Sequence, residues 1–77
     1  MGRERSGHAV GEPVLLLTGR MSLQAENYRG LLEVTPERIV LQVRRAQIAV
    51  IGENLQVEYY AREELRIAGL ISRVEFL

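Results

Sequence analysis

The side chains that could act on a substrate are few and scattered in this 77-residue chain. It has no cysteine and no lysine, and its one histidine, His8, lies near the N-terminus. Ser22 and Ser72 have no sequence neighbour that could take the hydroxyl proton, as a nucleophilic serine requires. The adjacent pair Glu63-Glu64 is predicted to lie in a surface turn, where both carboxylates are solvated rather than positioned for acid–base catalysis. We therefore expect no enzymatic activity.

Binding motifs for cofactors and metals are also missing. The seven glycines are dispersed and form neither GxGxxG nor GxxxxGK, the loops that hold phosphate groups. A lone histidine cannot build a metal site, and without cysteine no thiolate can bind zinc. We expect neither a cofactor nor a metal, so the function that is left to this chain is binding.

Charge separates two classes of binding partner. Ten arginines balance ten glutamates, and a net charge of zero gives no long-range attraction to nucleic acid or anionic lipid. Where the predicted strands expose side chains to solvent, arginine and glutamate are mixed, which favours a protein partner. Arginine nevertheless suits phosphate recognition, and Tyr28 and Tyr60 are expected to face outward, where bases could stack on them. A small β-barrel that binds RNA or DNA is therefore the alternative.

No segment is apolar enough to enter a membrane. A bilayer-spanning helix needs roughly 18 apolar residues, whereas the longest clear run here is Val14 to Leu17. The charged N-terminus is not followed by the apolar stretch of a signal peptide. We expect a cytoplasmic protein without direct membrane insertion.

The elements that must position these residues are strands. From Val14 onward, apolar and polar residues alternate with the period of two that is typical of half-buried strands. The alternation predicts an all-β fold with about seven short, mostly antiparallel strands in a meander, as a small sandwich or a partly closed sheet. Residues 1–12 lack this period and are predicted to be a flexible tail, and residues 13–77 form a single domain. The inward positions are Met21, Leu23, Ala25, Leu32, Val34, Ile39, Leu41, Val43, Ile48, Val50, Leu55, Val57, Tyr59, Leu65, Ile67, Val74 and Phe76.

Four residues mark predicted turns or bends. Pro36 has the fixed φ that a type I turn requires. Gly52 and Asn54 tolerate positive φ and predict a short hairpin between two strands. At Gly69 the alternation changes phase, and a bulge or bend there would turn the last apolar residues of the chain inward.

Two segments could contact a partner. No charge interrupts the run from Ile48 to Ile51, which would pair with another subunit at a sheet edge; a central strand buried on both faces explains it equally well. Asn27, Tyr28 and Arg29 are the candidate interaction residues, because an exposed Tyr-Arg pair is typical of binding hot spots. The alternative is that Asn27 and Gly30 only form a turn between strands. Further apolar residues expected to face outward are Val40, Ala49, Ile51 and Leu77.

Three stretches resemble the YabP/YqfC family of sporulation proteins. The family's EN(H/Y)(K/R)G signature is matched by Glu26-Asn27-Tyr28-Arg29-Gly30. Its LxIxGxxLxI segment resembles the chain from Ile48 to Val57, and its EEIxIxGxIxxVxF ending resembles the chain from Glu63 to Phe76. The three occur in the same order, cover nearly the whole chain from Pro13 onward, and are closer to the YqfC branch.

The resemblance implies a role in endospore formation in Gram-positive, Firmicutes-type bacteria, with expression in the mother cell. Family members are encoded beside sporulation membrane proteins, which implies such a membrane protein as partner and a peripheral position at the forespore membrane. The family has no established activity or cofactor, so no catalytic residue is carried over. Pattern and resemblance together predict a non-enzymatic sheet module that binds a protein partner or assembles into a homo-oligomer.

Overall fold

The computed structural model describes residues 11–77, and these form a single antiparallel β-sheet of six strands. The predicted all-β class is confirmed, with six strands in place of about seven, and no helix occurs in this part of the chain. Most of the expected tail, including His8, lies outside the described residues. The strands are β1 (Val14–Thr18), β2 (Ser22–Glu26), β3 (Gly30–Val34), β4 (Arg38–Val43), β5 (Ala46–Tyr60) and β6 (Glu64–Phe76).

The order of the strands in the sheet is β1-β2-β6-β5-β4-β3. Four of the five pairings join strands that follow each other in the chain, as in a meander, and the remaining pairing joins β2 to β6. The sheet is not closed, because its outermost strands, β1 and β3, do not pair with each other. These two strands are its edges.

The short connection between β2 and β3 requires the sheet to curl. The two strands are four strand spacings apart in the sheet order, which is about 19 Å in a flat sheet. The four Cα steps from Glu26 to Gly30 reach at most about 15 Å. The halves of the sheet therefore fold toward each other, and their facing sides enclose the core.

The two longest strands bend together without leaving the sheet. Their pairing shifts register three times, so that extra residues are accommodated as bulges. A Cβ atom at Gly52 would overlap the carbonyl oxygen of Leu70, and one at Gly69 would lie 2.5 Å from the carbonyl oxygen of Asn54. The backbones of β5 and β6 thus approach each other more closely than any side chain at these positions would allow.

The hairpin predicted at Gly52 and Asn54 is wrong. Both residues lie inside β5, which is continuous from Ala46 to Tyr60. Gly52 is needed for close backbone approach rather than for a chain reversal. Asn54 does adopt a positive φ, of 54°, as part of the bulge opposite Gly69, whose φ is 129°. Because the bend lies within continuous strands, the sheet contains fewer and longer strands than expected.

Turns of the flanking hairpins supply hydrogen bonds to the bend. Pro36 lies in the β3–β4 turn, and the carbonyls of Pro36 and Glu37 accept hydrogen bonds from N–H groups of β5 at 2.8 and 3.0 Å. In the β1–β2 turn, the carbonyls of Arg20 and Met21 accept from N–H groups of β6 at 2.7 and 3.2 Å. These N–H groups of the bend therefore have hydrogen-bond acceptors where the ladder between β5 and β6 is interrupted.

One hydrophobic cluster fills the space between the two halves of the sheet, and most of its members are residues that the alternation predicted to face inward. Tyr59 is an exception, because Glu58 is an extra residue in β5 that rotates Tyr59 outward and brings Tyr60 opposite Leu65. Phe76 ends β6 and is exposed, and the inward expectation is also wrong for Met21, Leu32 and Val34, which are more than half exposed. The cluster contains Leu23, Ala25, Tyr28, Ile39, Leu41, Val43, Ile48, Val50, Leu55, Leu65, Ile67 and Ile71.

The apolar run from Ile48 to Ile51 lies in the centre of the sheet. It pairs with β4 on one side and with β6 on the other, so it offers no free edge. Val40 and Ala49, which were expected to be exposed on the outer face, are buried. Of the two interpretations of this run, the central strand is correct, and the run offers no edge to a partner.

The close backbone approach predicts a large cost for any side chain at Gly52. Gly52→Ala should lower the free energy of unfolding by about 1–3 kcal/mol or more, because Leu70 must move away and open the bend. Gly30→Ala is the matched control, since nothing lies within 4 Å of a Cβ atom there. Urea unfolding followed by circular dichroism measures both variants. Equal stability of the two would contradict the bend described here.

Candidate interaction site

The β2–β3 connection and the β5–β6 turn meet at one end of the folded sheet. Tyr28, in the connection, is only 8% exposed and belongs to the core cluster. Its hydroxyl donates a hydrogen bond to the carbonyl of Ala61 in the turn, and its ring centroid lies 5.9 Å from that of Tyr60. The expectation that Tyr28 faces outward is therefore wrong, because its ring fills the open end of the sheet. Tyr60 is exposed, but it lies opposite the buried Leu65 and so on the core side of the sheet rather than on the expected outer face.

Asn27 holds the connection in an unusual backbone conformation. Its φ is 63°, in the left-handed region that asparagine tolerates better than most residues. Its side-chain amide donates a hydrogen bond to the carbonyl of Glu12 at 2.8 Å. The Glu12 carboxylate in turn lies 3.6 Å from the Arg44 guanidinium. Asn27 thus ties the segment before β1 to the connection, which is a structural role.

Arg29 is the one candidate of the three whose side chain is available to a partner. Its backbone N–H donates a hydrogen bond to the carbonyl of Gln42 at 2.7 Å, while its side chain is exposed. Among the described residues, neither Arg29 nor the exposed Arg62 has an ion-pair partner. Both arginines line a cavity of about 320 Å³, together with Tyr28, Tyr60 and Ala61. Guanidinium and aromatic groups at such a surface suit contact with another protein.

An acidic depression lies next to this cavity. It has a volume of about 420 Å³ and is lined by Glu26, Asn27, Glu63 and Glu64. Glu64 forms an ion pair with Arg66 at 3.2 Å. Within residues 11–77 no three or more His, Cys, Asp or Glu side chains are arranged to hold a metal ion. No helix in the same range is long and apolar enough to cross a bilayer.

The edge strand β1 exposes two large apolar side chains. Leu16 is 58% exposed and Leu17 is 50% exposed. Leu17 pairs with Leu23 and so lies on the core side of the sheet, whereas Leu16 pairs with Gln24 on the outer side. β1 contains no charged residue, and its register with β2 has no shift. It is a regular edge with exposed leucines on both faces.

The opposite edge strand, β3, is built differently. Leu32 and Val34 are 53% and 52% exposed. The register with β4 shifts between Leu31 and Glu33, which interrupts the strand with a bulge. Glu33 forms an ion pair with Arg38 at 3.2 Å. A bulge and a charge are two features that protect edge strands from pairing with other chains. Only β1 lacks this protection.

The outward arginines of the sheet are largely paired with glutamates. Besides the pair on β3, Arg66 contacts Glu64 at 3.2 Å and Arg73 contacts Glu75 at 3.5 Å. Arg66 also lies over the ring of Tyr59, 5.8 Å from its centroid. The charged side chains of the outer face therefore form local arginine–glutamate ion pairs rather than a continuous basic track.

The fold and these surfaces define a small all-β domain with an open, strongly bent sheet and one unprotected apolar edge. The sequence model of the YabP family matches residues 11–77. The chain belongs to this family, which is associated with sporulation, and the predicted resemblance is confirmed. A relative, the "uncharacterized protein YqfC" of Bacillus subtilis (strain 168), is 28% identical over 65 residues, covering 84% of this chain and 70% of the relative. No solved structure matches the chain.

Tyr28→Phe tests the hydrogen bond that closes the end of the sheet. At neutral pH the variant should lose about 0.5–1.5 kcal/mol of unfolding free energy, because the Ala61 carbonyl loses its donor. Burial, followed by the neighbouring Tyr60 and Tyr59, raises the pKa of the Tyr28 phenol above its ordinary value. Folding therefore favours the protonated phenol, and the wild type should lose stability as the pH rises above about 10, through the higher pKa of the folded state.

Tyr28→Phe has no phenol to ionise at this position. The difference in unfolding free energy between wild type and this variant should therefore become smaller in alkaline solution. Denaturant unfolding at neutral pH and above pH ~10 measures the difference. Tyr59→Phe is the control at neutral pH, where it should leave the free energy of unfolding nearly unchanged because Tyr59 is exposed and lies outside the core cluster. An unchanged deficit at high pH would contradict the buried environment of Tyr28.

Proposed function

We propose that this chain acts in the mother cell during sporulation as a non-enzymatic protein-binding module. Its edge strand β1 accepts a strand from another polypeptide, which extends the sheet. The partner is a sporulation membrane protein or a further copy of the chain, and through a membrane partner the domain lies at the forespore membrane. Membership of a sporulation-associated family supports the setting.

The observation that carries the proposal is the unprotected edge. Among residues 11–77, β1 pairs only with β2, so one row of its backbone N–H and C=O groups has no strand of this range beside it. Such an edge is a template for strand addition, in which main-chain hydrogen bonds give affinity and alternate side chains give specificity. Leu16 and Leu17 would both become covered, one on each face of the extended sheet.

The non-enzymatic part of the proposal is supported by how the polar residues are used. Glu33, Glu64 and Glu75 each neutralise an arginine at the surface. The buried side chains of residues 11–77 are apolar apart from the phenol of Tyr28, and its hydroxyl is engaged in a hydrogen bond to the carbonyl of Ala61. We therefore assign this phenol to closing the end of the sheet rather than to catalysis.

Spore formation by the host tests the proposed function. Deletion of the gene should block spore maturation while vegetative growth stays normal, because the role is confined to sporulation. Complementation with Leu16→Arg should fail to restore heat-resistant spores, since the added charge and bulk obstruct strand addition at β1. Heat-resistant colony counts measure both results.

Leu32→Arg, on the protected edge, is the matched control and should complement fully, because its side chain is about equally exposed. Circular dichroism of both purified variants shows that the sheet is retained. A deletion strain with normal spore yield would contradict the role in sporulation, and full complementation by Leu16→Arg would contradict the use of β1.

The alternative function, binding of RNA or DNA, can be separated by salt dependence. Proteins that neutralise phosphates bind tightly at low salt and weaken steeply as salt is added. The paired arginines of the outer face favour the protein-binding proposal, so we expect no retention of single-stranded or duplex nucleic acid in filter binding at low ionic strength. Salt-sensitive binding would instead support the nucleic-acid alternative.

A further inference from the structure

We infer that the strand accepted by β1 is β1 of a second copy, paired antiparallel about Leu16, so that two chains form one continuous sheet of twelve strands, six from each. This inference rests on the proposed function and names the partner for the same edge. Neither the family match nor the similar protein assigns any partner to this strand.

The register follows from the geometry of antiparallel pairs. In an antiparallel pair, residues directly opposite each other project on the same face of the sheet, and along each strand the face alternates from one residue to the next. When β1 pairs with β1 of a second copy, the two residues of each opposite pair must therefore have numbers that are equal or differ by an even number. Pairing centred on Leu16 uses all five residues of β1. Centring on Leu15 would bring in Pro13, which has no N–H to donate. Centring on Leu17 would bring in Gly19, which has left the strand with a φ of 60°.

The side chains matched in this register are complementary. On the core side, Leu15 of each copy lies opposite Leu17 of the other, so the half-exposed Leu17 continues the hydrophobic core across the junction. On the outer side, Leu16 meets Leu16 of the second copy, and Val14 meets Thr18. Aliphatic and β-branched pairs of this kind stabilise antiparallel sheets. No charged residue is present in β1 to oppose the pairing.

Self-complementarity is the reason to choose a second copy over a foreign strand. The sequence Val-Leu-Leu-Leu-Thr is nearly symmetric about Leu16, so each aliphatic or β-branched residue meets one of similar character in the second copy. This makes the strand self-complementary, as a two-fold symmetric interface requires. The other edge does not have it, because pairing β3 about Leu32 would place Leu31 opposite Glu33 and meet the bulge twice.

The first experiment measures the mass of the purified protein in solution. Light scattering at high micromolar concentration should give twice the chain mass of 8.7 kDa. Leu16→Arg and Leu16→Glu should each weaken the dimer on the order of a hundredfold, because like charges then face each other across the two-fold axis. An equimolar mixture of the two variants should restore the dimer, since the pair is now of opposite sign. A variant that had merely misfolded could not be rescued in this way.

The second experiment tests the register by cross-linking. The natural chain has no cysteine, so a single engineered thiol reports only on its own position. Leu16→Cys should form a disulfide-linked dimer under mild oxidation, because opposite Cα atoms in antiparallel strands lie within the range that a disulfide spans. Leu17→Cys should cross-link far less, since its nearest copy is diagonal, at about 7–8 Å. Leu32→Cys controls for random collision.

The outcomes separate this inference from the proposed function. A wild-type protein that stays monomeric, or a Leu17→Cys variant that cross-links as readily as Leu16→Cys, overturns the β1–β1 pairing. If the protein is monomeric and Leu16→Arg still fails to complement, the edge serves a foreign strand and the proposed function stands. If the dimer forms and the monomeric variant complements fully, self-pairing is correct and the proposed function of the edge is wrong.

Discussion

The close approach of two backbones at Gly52 and Gly69 is the constraint on which the rest of the structure depends. It lets β5 and β6 bend as a pair while they continue through both halves of the sheet. The bend brings the facing sides together into one core, and it brings the ends of β2 and β3 close enough for a three-residue connection. Carbonyls of two neighbouring turns satisfy the N–H groups that the bulges leave without ladder partners.

The regular parts of this fold could be predicted because period-two alternation is a local property. Ile39, Leu41 and Val43, for example, face the core as their spacing indicates. The bend could not be predicted, because a glycine that permits backbone contact and a glycine that reverses the chain look alike in sequence. A bulge likewise leaves no recognisable pattern in the sequence. The one at Glu58 turns Tyr59 to the outer face of the sheet and Tyr60 to the core side.

The candidate site was only partly accessible from sequence for a related reason. Tyr28 and Arg29 are adjacent, yet one fills the end of the core and the other faces solvent. A tyrosine at a connection could have been assigned to the core only if the curl of the sheet were known. The status of β1 as an edge was inaccessible as well, since edges are set by the non-local pairing of β2 with β6 rather than by β1 itself.

The bulge on β3 has a consequence for how far any assembly can extend. A sheet whose two edges both accept strands grows without limit, as amyloid does. Here the shift between Leu31 and Glu33 removes the unbroken ladder that a further addition would copy, and the charge of Glu33 would be desolvated by it. If β1 accepts a strand as proposed, we expect growth to end at the β3 edge of the domain. On this proposal the domain is a one-sided connector and not the subunit of a filament.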